Sequence, residues 1–224
     1  MNTDTRLHDW HIAPREYARH EPRRGRRHAF SNLHPAATAL VVIDMVPFFF
    51  DQSAYCRGIV PNINTLASAL RGAGGTVAWV LPSPRHRYPD RAREFLGPDV
   101  AETYRLSAGT GPLPDRLGPG LVTAQGDIFV EKTAPNAFLP GYCELPNLLA
   151  ARGIDTVLVA GTVTNECCES SVRDASATGF RTIMLADANA ARTDAEHNAA
   201  LHTIYRSFGD IRSTTEVLGM IATA

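Results

Sequence analysis

Short apolar runs alternate with segments of helical spacing from residue 38 of the chain onward. The runs carry apolar side chains at successive positions, as expected of strands that are buried on both faces of a sheet. Segments with helical periodicity separate them, and most of the connections are short. This alternation predicts an α/β fold, a Rossmann-like three-layer α/β/α sandwich around a central, mainly parallel sheet of about six strands.

The boundaries of the predicted elements follow from the same pattern. Strands are predicted at 39–44, 76–81, 128–132, 156–161 and 182–187, with a short one around 210–213. Helices are predicted near 60–72, 91–106, 142–152, 166–179 and 194–207, with a last one from about 214. The Gly/Pro-rich stretch 107–126 is long enough to be a lid or a binding loop rather than a simple connection.

The first 34 residues are polar and basic, with a cluster of arginines at 23–27. We therefore divide the chain into an N-terminal arm, residues 1–34, and a single domain, residues 35–224. The favoured interpretation is an exposed arm with solvated charges. The alternative is an ordered arm that packs across a partner subunit, which Trp10 and Tyr17 support.

Composition excludes several classes of function. The net charge of −1 argues against nucleic-acid binding, in which phosphate contacts dominate affinity. No apolar run approaches the roughly 18 residues that span a bilayer, and no apolar stretch near the amino terminus indicates a secretory signal. The cysteines at 56, 143, 167 and 168 form neither a CxxC pair nor a zinc-binding spacing. We therefore expect reduced thiols in a cytoplasmic protein.

Reactive side chains follow three of the predicted strands. Asp44 ends the first strand, Lys132 ends the third, and Cys167 follows the fourth within the segment TVTNECCES. Ligands bind beyond the carboxyl ends of parallel strands, so the sheet is expected to bring these side chains together. Lys132 is also the only lysine, whereas the other 21 of the 22 basic residues are arginines. The pKa of a lysine ammonium shifts readily when the group is buried, whereas an arginine guanidinium stays charged.

Cys167 is predicted to lie in the first turn of a helix that Thr164 or Asn165 caps. There the helix dipole would stabilise a thiolate and lower the pKa of the thiol. Cys168 points about 100° away around the helix and is expected to be a packed thiol. Taken singly, the aspartate could be a turn former, the lysine an accident of composition and the cysteine inert. Their convergence at one crevice favours a catalytic site.

Three segments of the chain carry a resemblance to a known family: ALVVIDMVPFF at 39–49, VEKTAPNAF at 130–138 and GTVTNECCESSVRDA at 161–175. The chain resembles the isochorismatase-like cysteine hydrolases, a superfamily that includes nicotinamidase, N-carbamoylsarcosine amidohydrolase and ureidoacrylate hydrolase. The third segment is the most specific, and it looks most like that of uncharacterised bacterial members and of streptothricin hydrolase, which opens a lactam. The resemblance covers about residues 36–220 and identifies 35–224 as an isochorismatase-like hydrolase domain.

The resemblance implies a catalytic triad. Cys167 would be the nucleophile and would form a covalent acyl-thioester, with Asp44 as the proton acceptor and donor. Lys132 would orient the pair and favour their charged forms. The family also implies a cis peptide bond between Thr162 and Val163, and an oxyanion hole formed by the amides of Val163 and Cys167.

Departures from the family pattern bear on the substrate and on metal binding. Val46 and Pro47 replace a Gln-Asn-like pair, which makes this side of the pocket more apolar. The stretch LPSPRHRYPD offers His86 but no acidic residue before it, where nicotinamidases have an Asp-x-His metal pair. We therefore expect no metal and no cofactor.

Four residues are candidates for binding the substrate: Phe49, His86, Asn136 and Phe138. Phe49 matches an aromatic position that faces the substrate in the family. Structural turn roles are an equal alternative for Asn136 and Phe138. Glu169 and His197 are expected to serve in a helix or at an interface.

These observations favour a cysteine-dependent hydrolase that cleaves a C–N bond of a small molecule, in an amide, a carbamoyl or ureido group, or a lactam. The alternatives are an isochorismatase-type vinyl-ether hydrolase and a non-catalytic small-molecule-binding protein on the same fold. Nucleic-acid and membrane partners are not expected, and relatives imply a homodimer or homotetramer.

Overall fold

A computed structural model describes residues 4–85 and 88–224 of the chain. Its centre is a six-stranded sheet with the order β3-β2-β1-β4-β5-β6, in which all strand pairs are parallel. The strands are β1 (Thr38–Ile43), β2 (Thr76–Pro82), β3 (Ile128–Lys132), β4 (Thr156–Thr162), β5 (Arg181–Ala190) and β6 (Asp210–Arg212). The predicted fold class and the predicted strands are confirmed.

Helices cover both faces of the sheet. They are α1 (Pro14–Arg24), α2 (Pro47–Gln52), α3 (Ala54–Gly58), α4 (Val60–Gly72), α5 (Pro89–Leu96), α6 (Pro98–Ser107), α7 (Leu145–Ala151), α8 (Glu169–Ala177), α9 (Asp194–Ser207) and α10 (Thr214–Ala222). The buried apolar residues form one core cluster on each face of the sheet. Within the described parts of the chain, no helix is long and apolar enough to span a bilayer.

The strand order creates a switch point between β1 and β4. Chain connections lead away from this point on both sides of the sheet, which opens a crevice at the carboxyl ends of the two strands. The residues that follow β1 and β4 therefore meet there. This position explains why the segments carrying Asp44 and Cys167 come together although they lie far apart in the sequence.

Several predicted boundaries were wrong. The helix predicted near 91–106 is two helices, because Gly97 has a φ of 82° and Pro98 cannot continue a helix. The segment predicted as one helix at 166–179 begins as a π-helical turn, Thr164–Cys168, before α8. Helices α1, α2 and α3 were not predicted, since each is short or strongly polar and is stabilised by tertiary contacts.

The N-terminal arm is not the exposed segment that the sequence favoured. His8, Ile12 and Glu16 are all buried against the domain of the same chain. The carboxylate of Glu16 pairs with Arg206 and His202 of α9, and these hydrogen bonds hold its pKa below the usual range. The sequence concealed these contacts, because two of these three buried side chains are polar or charged and lie among exposed residues. The assembly of the chain into a homodimer or homotetramer stays a prediction.

The stretch 107–126 is anchored to the carboxyl ends of β2 and β3. Arg116 is buried, and its guanidinium donates to the carbonyl oxygens of Ala108 and Pro82 and to Glu131 Oε1 at 2.7 Å. The Gly118 amide donates to the Met45 carbonyl oxygen at 2.8 Å. This loop therefore packs against the chain that follows β1, close to the crevice.

Candidate active site

Asp44 follows β1 at the switch point and has a φ of 53°, in the left-handed region that non-glycine residues rarely adopt. Its amide donates to the Val80 carbonyl oxygen at 2.9 Å, and Thr162 Oγ1 donates to the Asp44 carbonyl oxygen at 2.9 Å. Gly161 permits this close approach, because a Cβ atom there would lie 2.1 Å from the Ile43 carbonyl oxygen. Contacts from two neighbouring strands thus fix the backbone that carries the carboxylate.

Lys132 ends β3, and its side chain is buried beside Asp44. The distance from Lys132 Nζ to Asp44 Oδ2 is 2.7 Å, and the distance to Cys167 Sγ is 3.5 Å. The ammonium also donates to the Ala134 carbonyl oxygen at 3.3 Å. A lysine ammonium has three N–H donors, and here one acceptor lies near each of them.

Cys167 lies in the π-helical turn, not in the first turn of an α-helix. The Val163 carbonyl oxygen accepts hydrogen bonds from the amides of Glu166, at 3.1 Å, and Cys168, at 3.2 Å. The amide of Cys167, between these two donors, makes no hydrogen bond to that carbonyl. The Cys167 side chain is half-buried, whereas that of Cys168 is fully buried in the core, as expected.

The charges of this buried triad are strongly coupled. Burial, together with the negative charge of Asp44, raises the pKa of the Cys167 thiol to about 12, although Lys132 opposes the shift. Burial also raises the pKa of Asp44, against the effect of Lys132. Burial disfavours the Lys132 ammonium, but the charges of Asp44 and Cys167 outweigh it and raise the pKa of Lys132. The expected lowering of the thiol pKa by a helix dipole was therefore wrong for the resting site.

One oxygen of the Asp44 carboxylate is available to accept a proton. Oδ2 binds Lys132, while Oδ1 is buried and has no hydrogen-bond partner of normal geometry in the described chain. The Cys167 thiol interacts with this same carboxylate. The triad can therefore move a proton from sulfur to Asp44 while Lys132 keeps its charge.

A cavity of about 510 Å³ lies beside the segment that joins β4 to the π-helical turn. The peptide bond between Thr162 and Val163 is cis, and both residues line this cavity together with Phe49. Arg6 and Arg192 contribute positive charge to the same wall. Phe49 thus lies where a bound small molecule could contact it.

The other proposed substrate-binding residues are placed differently. The Asn136 side chain donates to the Ser170 carbonyl oxygen at 3.0 Å and to Asp174 Oδ2 at 2.7 Å. Phe138 is 1% exposed, and its ring packs edge-to-face on Phe180. Both side chains therefore have the structural roles that the sequence left open as the alternative.

His86 lies outside the described residues. Among residues 4–85 and 88–224, no three His, Cys, Asp or Glu side chains form a group that could hold a metal ion. Glu169 pairs with Arg173 within α8, at 2.6 Å between Oε1 and Nη2, which is the helical role expected of it.

Two contacts near the triad were not recognised from the sequence. The hydroxyl group of Thr164 does not cap a helix but lies 2.9 Å from His197 Nδ1. His197 lies in α9, in agreement with the predicted role in a helix, and it is fully buried within its own chain, so it is not at an interface. Thr162 also escaped notice as a support of Asp44. Each of these contacts joins distant parts of the chain, and no local sequence signal indicates them.

Comparison with known proteins shows the family of the chain. Residues 38–216 match the model of the isochorismatase domain. The chain is 32% identical over 197 residues to the uncharacterized isochorismatase family protein YwoC of Bacillus subtilis, covering 85% of this chain and 97% of YwoC. It is 27% identical over 218 residues to the ureidoacrylate amidohydrolase RutB of Agrobacterium fabrum, covering 86% of this chain and 93% of RutB.

Among solved structures, a cysteine hydrolase from Pseudomonas syringae pv. phaseolicola superposes with a TM-score of 0.76 at 28% identity. The superposition covers 88% of this chain and 97% of that one. The matched segment covers most of the chain, and the fold is consistent with it. The chain belongs to the isochorismatase family.

Proposed function

We propose that the protein hydrolyses a C–N bond of a small amide, carbamoyl or ureido compound, or lactam, through a covalent thioester on Cys167. The observation that carries the proposal is the buried triad, in which Lys132 Nζ contacts both Asp44 Oδ2 and Cys167 Sγ. The similarity to an amidohydrolase of a ureido compound supports the choice of bond.

The first half of the reaction forms the thioester. Asp44 takes the proton of the Cys167 thiol as the sulfur attacks the carbonyl carbon of the substrate. The negative charge that develops on the carbonyl oxygen is stabilised by the amides of Val163 and Cys167. Asp44 then gives the proton to the leaving nitrogen, the C–N bond breaks, and ammonia or an amine departs.

The second half regenerates the enzyme. Asp44 removes a proton from a water molecule, and the resulting hydroxide attacks the thioester carbonyl carbon. The C–S bond breaks, the acid product leaves, and the proton on Asp44 returns to the sulfur. Burial and the charge of Asp44 raise the pKa of the Cys167 thiol, so in the proposed mechanism the proton moves to Asp44 as the sulfur attacks.

An assay across a panel of substrates tests the proposal. We expect ammonia release from some primary amides or ureides, or new amine from some lactams, and a hydroxamate when hydroxylamine intercepts the thioester. If no member of the panel is turned over, the chain is a binding protein on this fold. If a vinyl ether is cleaved instead, and alanine at position 167 leaves that activity intact, the chain is an isochorismatase-type hydrolase.

Lys132→Arg is expected to lower kcat about 100-fold although it preserves the positive charge. The three acceptors around Lys132 Nζ converge on one nitrogen, whereas a planar guanidinium spreads its donors over three nitrogens. The larger group would also displace Cys167 in a fully packed site. The measurement is steady-state turnover of the best panel substrate.

The matched control is Arg152→Lys, which makes the reverse exchange at an exposed position. Arg152→Lys should keep normal turnover, and both variants should show a cooperative thermal unfolding transition. Normal turnover by Lys132→Arg would show that any cation suffices and would contradict the role assigned to the ammonium.

A further inference from the structure

A hydrogen-bond chain leads from the π-helical turn into α9. Thr164 Oγ1 lies 2.9 Å from His197 Nδ1, and His197 Nε2 lies 2.9 Å from the Ala186 carbonyl oxygen. A carbonyl oxygen can only accept, so Nε2 carries the proton and Nδ1 accepts from the Thr164 hydroxyl group. Burial lowers the pKa of His197 to about 3, which agrees with a neutral ring. The rotamer of Thr164 is therefore fixed three positions before Cys167.

The ring of His197 in turn stacks on a residue of the N-terminal arm. The His8 ring lies on His197 with centroids 4.1 Å apart and planes at 13°, and on Tyr55 with centroids 3.8 Å apart. His8 Nε2 accepts from the Ala191 amide at 3.0 Å, so His8 Nδ1 donates to Asp194 Oδ1 at 2.6 Å. His8 is 7% exposed and uses both ring nitrogens and both ring faces.

The arm also lines the cavity next to the segment that leads into the π-helical turn. Asp4 and Arg6 line the cavity of about 510 Å³ together with Thr162 and Val163. The Arg6 guanidinium lies over the Tyr55 ring, and the Arg6 amide donates to the Ala54 carbonyl oxygen at 3.0 Å. Contacts on both sides of His8 thus hold the arm against the site. This part of the chain precedes the segment that matches the family, residues 38–216.

We propose that the N-terminal arm completes the active site of its own chain, with His8 and His197 as positioning residues that hold Thr164 and the π-helical turn presenting Cys167. This inference rests on the proposed function for the role of Cys167. Neither histidine touches the reacting atoms. Their effect is to restrict the backbone that places the sulfur and the amide of Cys167, and geometric errors of about 1 Å there cost up to 100-fold in rate.

A role in folding alone and a role in positioning differ in their kinetic consequences. If the histidines only stabilise the fold, their loss lowers the melting temperature, while the folded fraction keeps its kcat. If they position the turn, kcat falls in the folded protein while KM, which reflects binding in the cavity, changes little. The π-helical turn should also open locally more often, without global unfolding of the protein.

The test uses Thr164→Val, which removes the hydroxyl group but keeps the branched shape, and His8→Ala, which removes the stacked ring. We expect each variant to lower kcat about 10- to 100-fold, with KM of Thr164→Val within about twofold, and we expect Thr164→Ser to restore most of kcat. Thr203→Val, at a half-buried site of α9 where the hydroxyl group donates to the Ala199 carbonyl oxygen of the same helix, is the matched control.

Amide hydrogen exchange provides a readout that needs no substrate. In both variants, exchange of amides 163–168 should accelerate about tenfold or more, while amides of β1 and β2 stay protected. If the panel shows no turnover, the proposed function fails, and exchange alone decides the present inference. Should the variants fold and show wild-type exchange in this segment, or wild-type kcat, the positioning role is refuted. If Thr164→Val does not fold, His8→Ala still gives both measurements.

Discussion

Cys167→Ala is expected to lower kcat/KM on the order of 10⁴-fold or more and to abolish hydroxamate formation. No other thiol can take its place, because the sulfur must be within reach of both Asp44 and Lys132. The fold should be unaffected, since the side chain is only half-buried and the turn is held through Thr164 and Val163. Turnover and intact-mass detection of an acylated chain are the measurements.

Cys168→Ala is the matched control, because it removes the adjacent thiol and leaves the triad intact. Cys168 is fully buried in the core, so this variant should lose about 1 kcal/mol of unfolding free energy while retaining turnover. If Cys167→Ala keeps its activity, or if Cys168→Ala is the inactive variant, the nucleophile has been wrongly assigned.

Asp44→Asn is expected to have opposite effects on two reactions of the same sulfur. Hydrolysis should fall about 10²- to 10⁴-fold, because the general base and acid is lost. Alkylation of Cys167 by iodoacetamide at pH 8 should become at least about tenfold faster. The negative charge of Asp44 raises the thiol pKa, and without it the Lys132 ammonium is left to stabilise the thiolate. Asparagine also tolerates the positive φ of this position.

The two rates are measured by turnover of the best panel substrate and by mass spectrometry of the alkylated cysteine peptide. Asp99→Asn, at an exposed position in α6, should change neither. A fall in both rates would mean that the substitution deforms the site. A slower alkylation with normal hydrolysis would reverse the assigned roles of the carboxylate.

The strand-end argument from the sequence located the triad because it depends on few physical rules. Apolar runs at 39–43 and 156–160 predict buried parallel strands, and the residues after the carboxyl ends of such strands lie together at one edge of the sheet. Asp44, Lys132 and Cys167 all occupy such positions. The pKa of the Cys167 thiol could not be predicted in the same way. It depends on burial and on the distance to Asp44, and the helix-dipole argument takes neither into account.

The supports of the triad were equally hidden from the sequence. His8 and Asp194 are 186 positions apart, and Thr164 and His197 are 33 apart, yet each pair shares a hydrogen bond. Thr164 has a side chain suited to capping a helix. Local propensity alone therefore predicted a backbone amide of the helix as its partner, whereas the observed partner is His197. The arm was misjudged for a similar reason, since two of its buried residues, His8 and Glu16, are polar and therefore form no apolar pattern.

The position of Lys132 has a consequence for chemical labelling. It is the only lysine of the chain, and its side chain is 3% exposed. Amine-acylating reagents should therefore leave the ε-amine of Lys132 unmodified on the native protein. A stable amide at Lys132, located by peptide mass, would report that the site has opened. The protein thus carries an internal probe of the integrity of its proposed active site, which can be read by mass without an added tag.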